Sequence, residues 1–446
     1  MSTAEQTERA SSPVERELSI ISQGAQALVD LSLRIAPRFG RAEVRSRVGR
    51  YLRGLLASVE RKNGWQVAEE LEEPNVHGVQ RLLAEADWDE EAVRDDLRAY
   101  VIEHLGEAGE ILVVDETGFV KKGLHSVGVA RQYCGRVGKK ENCQVAVSLS
   151  VATATASLPI AWRLYLPEEW ASDPERRKKA DVPKEVQFQT KPQIALAQIR
   201  QAVEDGVAPG VVLADEVYGS NREFRNGVAE LKLEYSLAVR SNTTVWALER
   251  QPLPPKPWTG KGKKATRMRR DQTHQPVTVA QLARELPEKT WREVTWRQGS
   301  KEMLCSRFAS LRVRPAYGDD RKGGLQPEQW LLIEWPTGAE EPSGYWLARL
   351  PVKLSLKRLV RISKHRWVIE RDYEELKQEL GLHHYEGRNW RGFHHHATLC
   401  FAAYGFLMAE RTRFSPSAHI GHLKLRSPRI PPQFRPRGAT GSGPTA

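Results

Sequence analysis

Two short apolar runs in this chain each end on an aspartate: ILVV before Asp115 and VVLA before Asp215. Runs of this length suit strands buried in a sheet, and an ionised carboxylate at such a place is costly unless it is paired, hydrogen-bonded or metal-bound. Between the two runs lie the strand-like segments ENCQVAVSLSVAT and ASLPIAWRLYLP and the helix-like KPQIALAQIRQAVEDG. After the second run come a helix opening at Ser220 or Asn221 and the strand-like EYSLAVR. Alternation of strand and helix from about Glu110 to Arg240 specifies an α/β core, placed here over residues 108–241.

The period differs on both sides of that core. From Glu17 to Leu105 apolar residues recur at spacings of three and four, as in Val44, Val48, Tyr51, Leu52 and Leu55, with breaks near Pro74 and Asp87 to Asp89. This predicts a helical domain of four or five helices over residues 16–107. Arg47, Arg50 and Arg53 recur every third residue there, either along a DNA backbone or on a solvated face. Residues 242–351 are proline-rich and basic, then strand-rich in TWREVTWRQ, KEMLCSRFASLRV, QWLLIEWP and GYWLARLP, and predict a β-rich insertion. Residues 352–413 return to helix, from Ser355 to Leu382 and through HHHATLCFAAYGFLMAER, and complete the core. Residues 1–15 and 414–446 read as a disordered lead and a basic disordered tail.

Among the 446 residues, lysine plus arginine exceed aspartate plus glutamate by 68 − 56, or +12. Lys256 to Arg270 (KPWTGKGKKATRMRR) carries seven basic residues and no acid, and Ile420 to Ala446 carries five and no acid, so 7 + 5 accounts for the whole excess. A charge-balanced body with two basic segments fits contact with a polyanion, with Lys261, Lys263 and Lys264 as candidate contacts. The competing reading is a pair of solvated loops. The four cysteines form no CxxC pair, which points away from a zinc knuckle or a disulfide framework and toward a reducing cytoplasm. No run approaches the roughly 18 apolar residues of a membrane helix, and the polar N-terminus has no signal-peptide character. The expectation is a soluble cytoplasmic protein with no membrane partner.

A third carboxylate, Glu370, sits in the charged helix RWVIERDYEELKQELGL. At about 100° per residue, Arg366 and Glu370 lie roughly 40° apart with Lys377 between them, beside an apolar stripe of Ile362, Ile369, Tyr373, Leu376 and Leu380. Glu370 is thus expected at the rim of the core, with Arg366 and Lys377 able to reach phosphate oxygens. A plain i, i+4 ion pair explains the spacing nearly as well. Three such carboxylates can hold two oxygen-ligated cations, the arrangement that activates an attacking oxygen and stabilises a leaving one at a phosphodiester. Both aspartates are followed by a glutamate, Glu116 and Glu216. Adjacent strand residues face opposite ways, so one member of each pair points into a shared site, and spacing alone leaves the choice open.

The segments VVDETGFVKKGLHSVGVARQYCG, NCQVAVSLSVAT, VVLADEVYG and RWVIERDYEELKQELGLHHYEGR resemble transposases of the insertion sequence 701 family, within the DDE group related to the insertion sequence 4 transposases. The likeness runs from about Tyr51 to Arg411. It implies an RNase H-like catalytic core interrupted by a β-rich insertion and preceded by a helical DNA-binding domain. It implies Asp115, Asp215 and Glu370 as the catalytic and metal-ligating triad, which selects the aspartates over Glu116 and Glu216. The implied cofactor is a pair of Mg²⁺ ions, with Mn²⁺ as the alternative. The implied partner is double-stranded DNA, the terminal inverted repeats of an element and a target, bound by a homodimer. In the group's helical signature Arg366, Glu370 and Lys377 match, but Ser363 stands where tyrosine is expected.

Lys121, Lys122 and Arg131 follow the first aspartate and are further candidates for DNA phosphate contact, against a solvated turn. His383, His384, His394, His395 and His396 lack a completing ligand pattern for metal, so DNA contact or packing is the expectation. Trp246, Trp258, Trp291 and Trp296 fall in the insertion, where core packing outweighs stacking on unpaired DNA for Trp291 and Trp296. Two other functions remain compatible with the sequence: a DNA-binding protein derived from a transposase but without catalysis, and a metal-dependent nuclease without strand transfer.

Overall fold

The computed structural model describes residues 13–105, 111–153, 157–207, 210–299, 302–316 and 324–414. Most of the expected lead and nearly all of the expected tail lie outside them. The described residues begin with five α-helices, α1 (Pro13–Ile35), α2 (Ala42–Leu56), α3 (Gly64–Glu70), α4 (His77–Ala84) and α5 (Glu90–Leu105). Side-chain caps fix two of the starts: Asn63 accepts from the Gln66 amide and Asp89 from those of Glu91 and Ala92. The arginine row on α2 is mainly internal. Arg50 pairs with the buried Glu73 carboxylate at 2.8 Å and Arg47 lies 3.8 Å from it, which leaves Arg53 as the exposed member.

The sheet chain follows: β1 (Ile111–Val120), β2 (Ala130–Cys134), β3 (Lys139–Ala152) and β4 (Ser157–Leu164), then short helices α6 (Glu168–Ala171) and α7 (Pro174–Lys179) and the longer α8 (Lys191–Glu204). Next come β5 (Val211–Ala214), α9 (Glu216–Gly219), α10 (Arg222–Glu230) and β6 (Glu234–Ala238). Asn221 caps α10, one of the two expected openings. The segment expected as an insertion holds β7 (Thr244–Ala247), β8 (Val277–Thr278), α11 (Val279–Glu285), β9 (Arg292–Gln298), β10 (Met303–Pro315), β11 (Gln329–Glu334) and β12 (Gly344–Arg349). Three helices close the described chain: α12 (Leu356–Ser363), α13 (Trp367–Gln378) and α14 (Trp390–Phe414).

Among the described residues all twelve strands join one mixed sheet in the order β2-β3-β1-β5-β6-β12-β11-β10-β7-β8, with β4 on β3 and β9 on β10. β1 runs antiparallel to β3 and parallel to β5, and β5 runs parallel to β6. Such a mixed α/β sheet is consistent with the RNase H-like core that the family resemblance implies. The segment 242–351 does not stand apart, because β12 pairs with β6 and carries the sheet onward.

The helices cover both faces of the β1/β5 region. Ile194, Ala195 and Ile199 of α8 pack with Leu112, Val114 and Val212 on one face. On the other, Val113 and Leu213 share a core with α13, α14 and the first five helices. The N-terminal helices therefore do not enclose a core of their own; α14 is common to them and to the sheet.

That explains the histidine run, which is buried packing. His394 accepts from the Leu164 amide at 3.2 Å, His395 stacks on Trp88 with ring centroids 3.6 Å apart, and His396 bonds the Tyr51 hydroxyl at 2.9 Å. Burial pushes His394 and His395 down to about 3 and His396 to about 4, so all three are neutral in the fold. No helix among the described residues is long and apolar enough to cross a membrane.

An unfolded chain protonates these histidines below pH ~6.5, so their contribution to stability is complete above that pH and declines as the pH falls toward their depressed folded values. Urea unfolding at pH 7, 6 and 5 should show falling stability. His395→Gln should reduce the slope by up to about 1.4 kcal/mol per pH unit, the linkage of one proton. An unchanged slope would show that His395 is not buried neutral.

Candidate active site

The parallel pairing of β1 with β5 runs Ile111–Val211, Leu112–Val212 and Val113–Leu213. Asp115 and Asp215 each lie two residues beyond its last rung, in the same register. Sharing the parity of Val113 and Leu213, they belong to the face covered by α13. Asp115 does not end its strand, as its apolar run suggested. β1 continues to Val120 along β3, Asp115 opposite Ser148, so Thr117 and Gly118 are strand residues rather than a turn. Asp215 does cap a helix, accepting from the Val217 amide at 2.9 Å on the four-residue α9.

Glu116 is held on the opposite face. Its carboxylate takes the Lys191 ammonium of α8 at 2.5 Å and the Tyr218 hydroxyl at 3.2 Å. Burial raises its pKa, the Lys191 charge opposes that rise, and Asp215 adds to it. Glu216 is exposed at the start of α9.

The helix expected from Ser355 to Leu382 is broken at Lys364–Arg366, because its two halves dock on different parts of the sheet. Leu359 and Val360 of α12 pack with Phe308, Leu332 and Ala348, whereas Ile369, Tyr373 and Leu376 of α13 pack over the β1 side. Contacts at the break fix the bend. Ser363 is buried with its hydroxyl 2.7 Å from that of Ser236 on β6, Lys364 pairs with Glu334 at 2.7 Å, and His365 bonds the Thr153 carbonyl at 2.8 Å. Ser363, the position that departs from the family signature, is thus committed to β6.

Arg366 sits at the N-cap of α13 and reaches the site. Its guanidinium donates to Asp115 and lies 4.0 Å from Glu370. Burial lowers the Arg366 pKa, but Asp115, followed by Asp215 and Glu370, holds it above its ordinary value. Burial raises the Asp215 carboxyl, Arg366 draws it back, and Asp115 adds to the rise. The Glu370 side chain is 65% exposed.

The structure therefore brings Asp115, Asp215 and Arg366 together, with Glu370 at their edge and turned outward. Among the described residues no three His, Cys, Asp or Glu side chains are grouped to hold a metal. Two repelling carboxylates on one face do fit a hard divalent cation, which takes oxygen ligands. The Arg366 guanidinium offsets part of their charge.

Asp215, Arg366 and Glu370 border a cleft of about 780 Å³, closed on its far side by Trp296, Arg297 and Trp346. The Arg297 guanidinium lies 3.9 Å from the centre of the Trp367 ring, and the Glu370 charge acts on it. Lys377, on the same helix as Glu370, is half-buried over the Tyr373 ring at 5.4 Å, and burial lowers its pKa against the pull of Asp115. Lys121 is turned inward, its ammonium on the Tyr385 carbonyl at 3.0 Å, whereas Lys122, Lys261, Lys263 and Lys264 are exposed.

Sequence reasoning missed Arg297 and the Glu116–Lys191–Tyr218 cluster. The signal for the cluster was the second acid of the first Asp-Glu pair, Glu116; Arg297 looked like one surface strand residue among several.

A family model described as DDE superfamily endonuclease matches residues 34–303, well over half of the chain. The chain belongs to that family. The matched span contains Asp115 and Asp215 and ends before Glu370. A curated relative, "Probable transposase for insertion sequence element IS701" from Microchaete diplosiphon, is 33% identical over 199 residues, covering 44% of this chain and 50% of the relative. The chain spans about half the length of that relative. The resemblance drawn from sequence segments is thus borne out. DDE superfamily endonucleases generally use divalent metal ions.

Glu116→Ala would leave the partly buried Lys191 ammonium without its partner, and should cost about 2 kcal/mol of stability, against about 1 kcal/mol for Tyr218→Phe. Urea titration measures both. A loss below about 0.5 kcal/mol for Glu116→Ala, as at an ordinary surface position, would contradict the pairing behind the sheet.

Proposed function

We propose that this protein is a DDE transposase that cuts the ends of an insertion element and joins them to target DNA. The observation that carries this reading is the placement of Asp115 and Asp215 at matched register beyond the β1–β5 pairing, under a helix that presents Arg366, Glu370 and Lys377. Membership of the DDE superfamily endonucleases and the likeness to an IS701 transposase support it.

In this reading Asp115, Asp215 and Glu370 hold two Mg²⁺ ions, or Mn²⁺ in their place. When bound, the ions supply activation of the attacking oxygen and charge stabilisation at the leaving oxygen. Asp115 and Asp215 orient their carboxylates through the rigid sheet, while Glu370 closes the set from α13. Arg366 exchanges its contact with Asp115 for a phosphate oxygen, and Lys377 meets a second phosphate as a point charge. The half-buried setting of both cations strengthens their hold by limiting water.

The DNA itself is proposed to run from the cleft across residues 242–351, where exposed Lys261, Lys263 and Lys264 meet its backbone, and to contact the N-terminal helices. Lys122, exposed just past the end of β1, is another backbone contact, and Lys121 joins it only by leaving the Tyr385 carbonyl. Pairing of two element ends calls for two copies of the chain.

The test uses labelled duplexes bearing the DNA that flanks the gene, a plasmid target and Mg²⁺. Wild type should cut and join; Asp115→Asn, Asp215→Asn and Glu370→Gln should each lose at least about a hundredfold in rate while still binding the duplex. Cutting without joining would leave a nuclease, and binding without cutting a DNA-binding derivative. Full activity of Glu370→Gln would place the third acid elsewhere.

A further inference from the structure

We propose that Arg136, in the turn between β2 and β3, forms with Lys377 a binding site for a single DNA backbone phosphate beside Asp115. The proposal rests on the transposase reading and adds to it a contact from a different element of the fold.

Arg136 is exposed, and its Nη1 donates to Nδ1 of His383 at 3.0 Å. His383 stands edge-on to Phe119 of β1, with ring centroids 4.9 Å apart. Burial, then Lys377 and Arg136, pushes His383 down to about 3, so it accepts from the guanidinium and cannot compete with it for an anion. Lys377 arrives from α13 over the Tyr373 ring. The charges of Arg136 and Lys377 act on each other, and burial already disfavours the Lys377 ammonium.

Neither cation forms an ion pair among the described residues. Asp115, the acid whose charge reaches Lys377, is occupied by Arg366. Two like charges gathered around a neutral histidine repel each other, and a bound anion reverses that cost. A guanidinium fork beside an ammonium matches a phosphate, the fork contacting two oxygens and the ammonium acting as a point charge. The same hairpin carries exposed Arg131 and Lys140, with Lys139 beside Glu141 at 3.8 Å, and these extend a net positive surface along β2 and β3. That surface is the path of a polyanionic strand leaving the cleft, and it distinguishes DNA from a small phosphate ester.

The experiment compares wild type, Arg136→Ala and Arg136→Lys on the duplex flanking the gene, in parallel with duplexes carrying one neutral methylphosphonate at successive positions around the cut. Arg136→Ala should bind about tenfold more weakly, with a salt dependence of binding shallower by about 0.9. Arg136→Lys should recover the slope but not the full affinity. At one position the methylphosphonate should weaken wild type by at least that factor and Arg136→Ala by distinctly less, the remainder being the Lys377 contact. Equal thermal unfolding of the three proteins would exclude a folding defect.

Wild-type affinity and slope in Arg136→Ala, with cutting and joining intact, would overturn the Arg136 site and leave the transposase reading standing. Losses from Arg136→Ala and the methylphosphonate that multiplied at every position would overturn the site in the same way. A wild-type protein that neither binds nor cuts the duplex would overturn both.

Discussion

Three rungs of parallel pairing between β1 and β5 set the register on which the rest of the site depends. Because that pairing brings Val113 level with Leu213, the acids two residues further on leave the sheet on the same face, and Glu116 is turned to the other. A slip of one residue would exchange the two sets. The structure resists a slip from both sides. β1 stays paired with β3 through Val120, and Glu116 is tied behind the sheet to Lys191 of α8 and Tyr218 beyond Asp215. The clamp on one face thus holds the acids on the other.

The second constraint is the bend between α12 and α13. Lys364 lies between the rings of Trp296 and Trp346, at 5.1 and 5.4 Å, and pairs with Glu334, while Arg297 covers Trp367. Strands of the 242–351 segment therefore hold the start of the helix that bears Glu370. On its inner side α13 is fixed by Asp372, whose carboxylate accepts from the Tyr404 hydroxyl at 2.7 Å and which burial raises to about 7. Between these two attachments Glu370 stays exposed and Arg366 spans the gap to Asp115. The half of the site that is preformed belongs to the sheet; the other half belongs to a helix end.

Much of this was legible in the sequence. The apolar runs before Asp115 and Asp215, the capped start of α10 and the stripe Ile369, Tyr373, Leu376 all report a buried face, and periodicity reads burial directly. What it does not read is which distant surface does the burying. The break at Lys364–Arg366 carries no proline or glycine, since it arises from two docking sites and not from local preference. β2 (ARQYC) was missed because it is short and polar along one side, and the histidines of α14 gave no sign that Trp88 and Tyr51 would meet them. The arginine row of α2 was ambiguous for the same reason: Glu73, the partner of Arg50, belongs to another segment.

If Asp115 and Asp215 form the proposed cation site, the Arg366 charge beside them opposes a cation there, and removing that charge should strengthen binding. Titration of Mn²⁺ against the protein, followed by the paramagnetic resonance of the free ion, tests this without DNA. Binding should weaken at least about tenfold in Asp215→Asn and tighten in Arg366→Gln. Equal Mn²⁺ affinity in wild type, Asp215→Asn and Arg366→Gln would contradict the account.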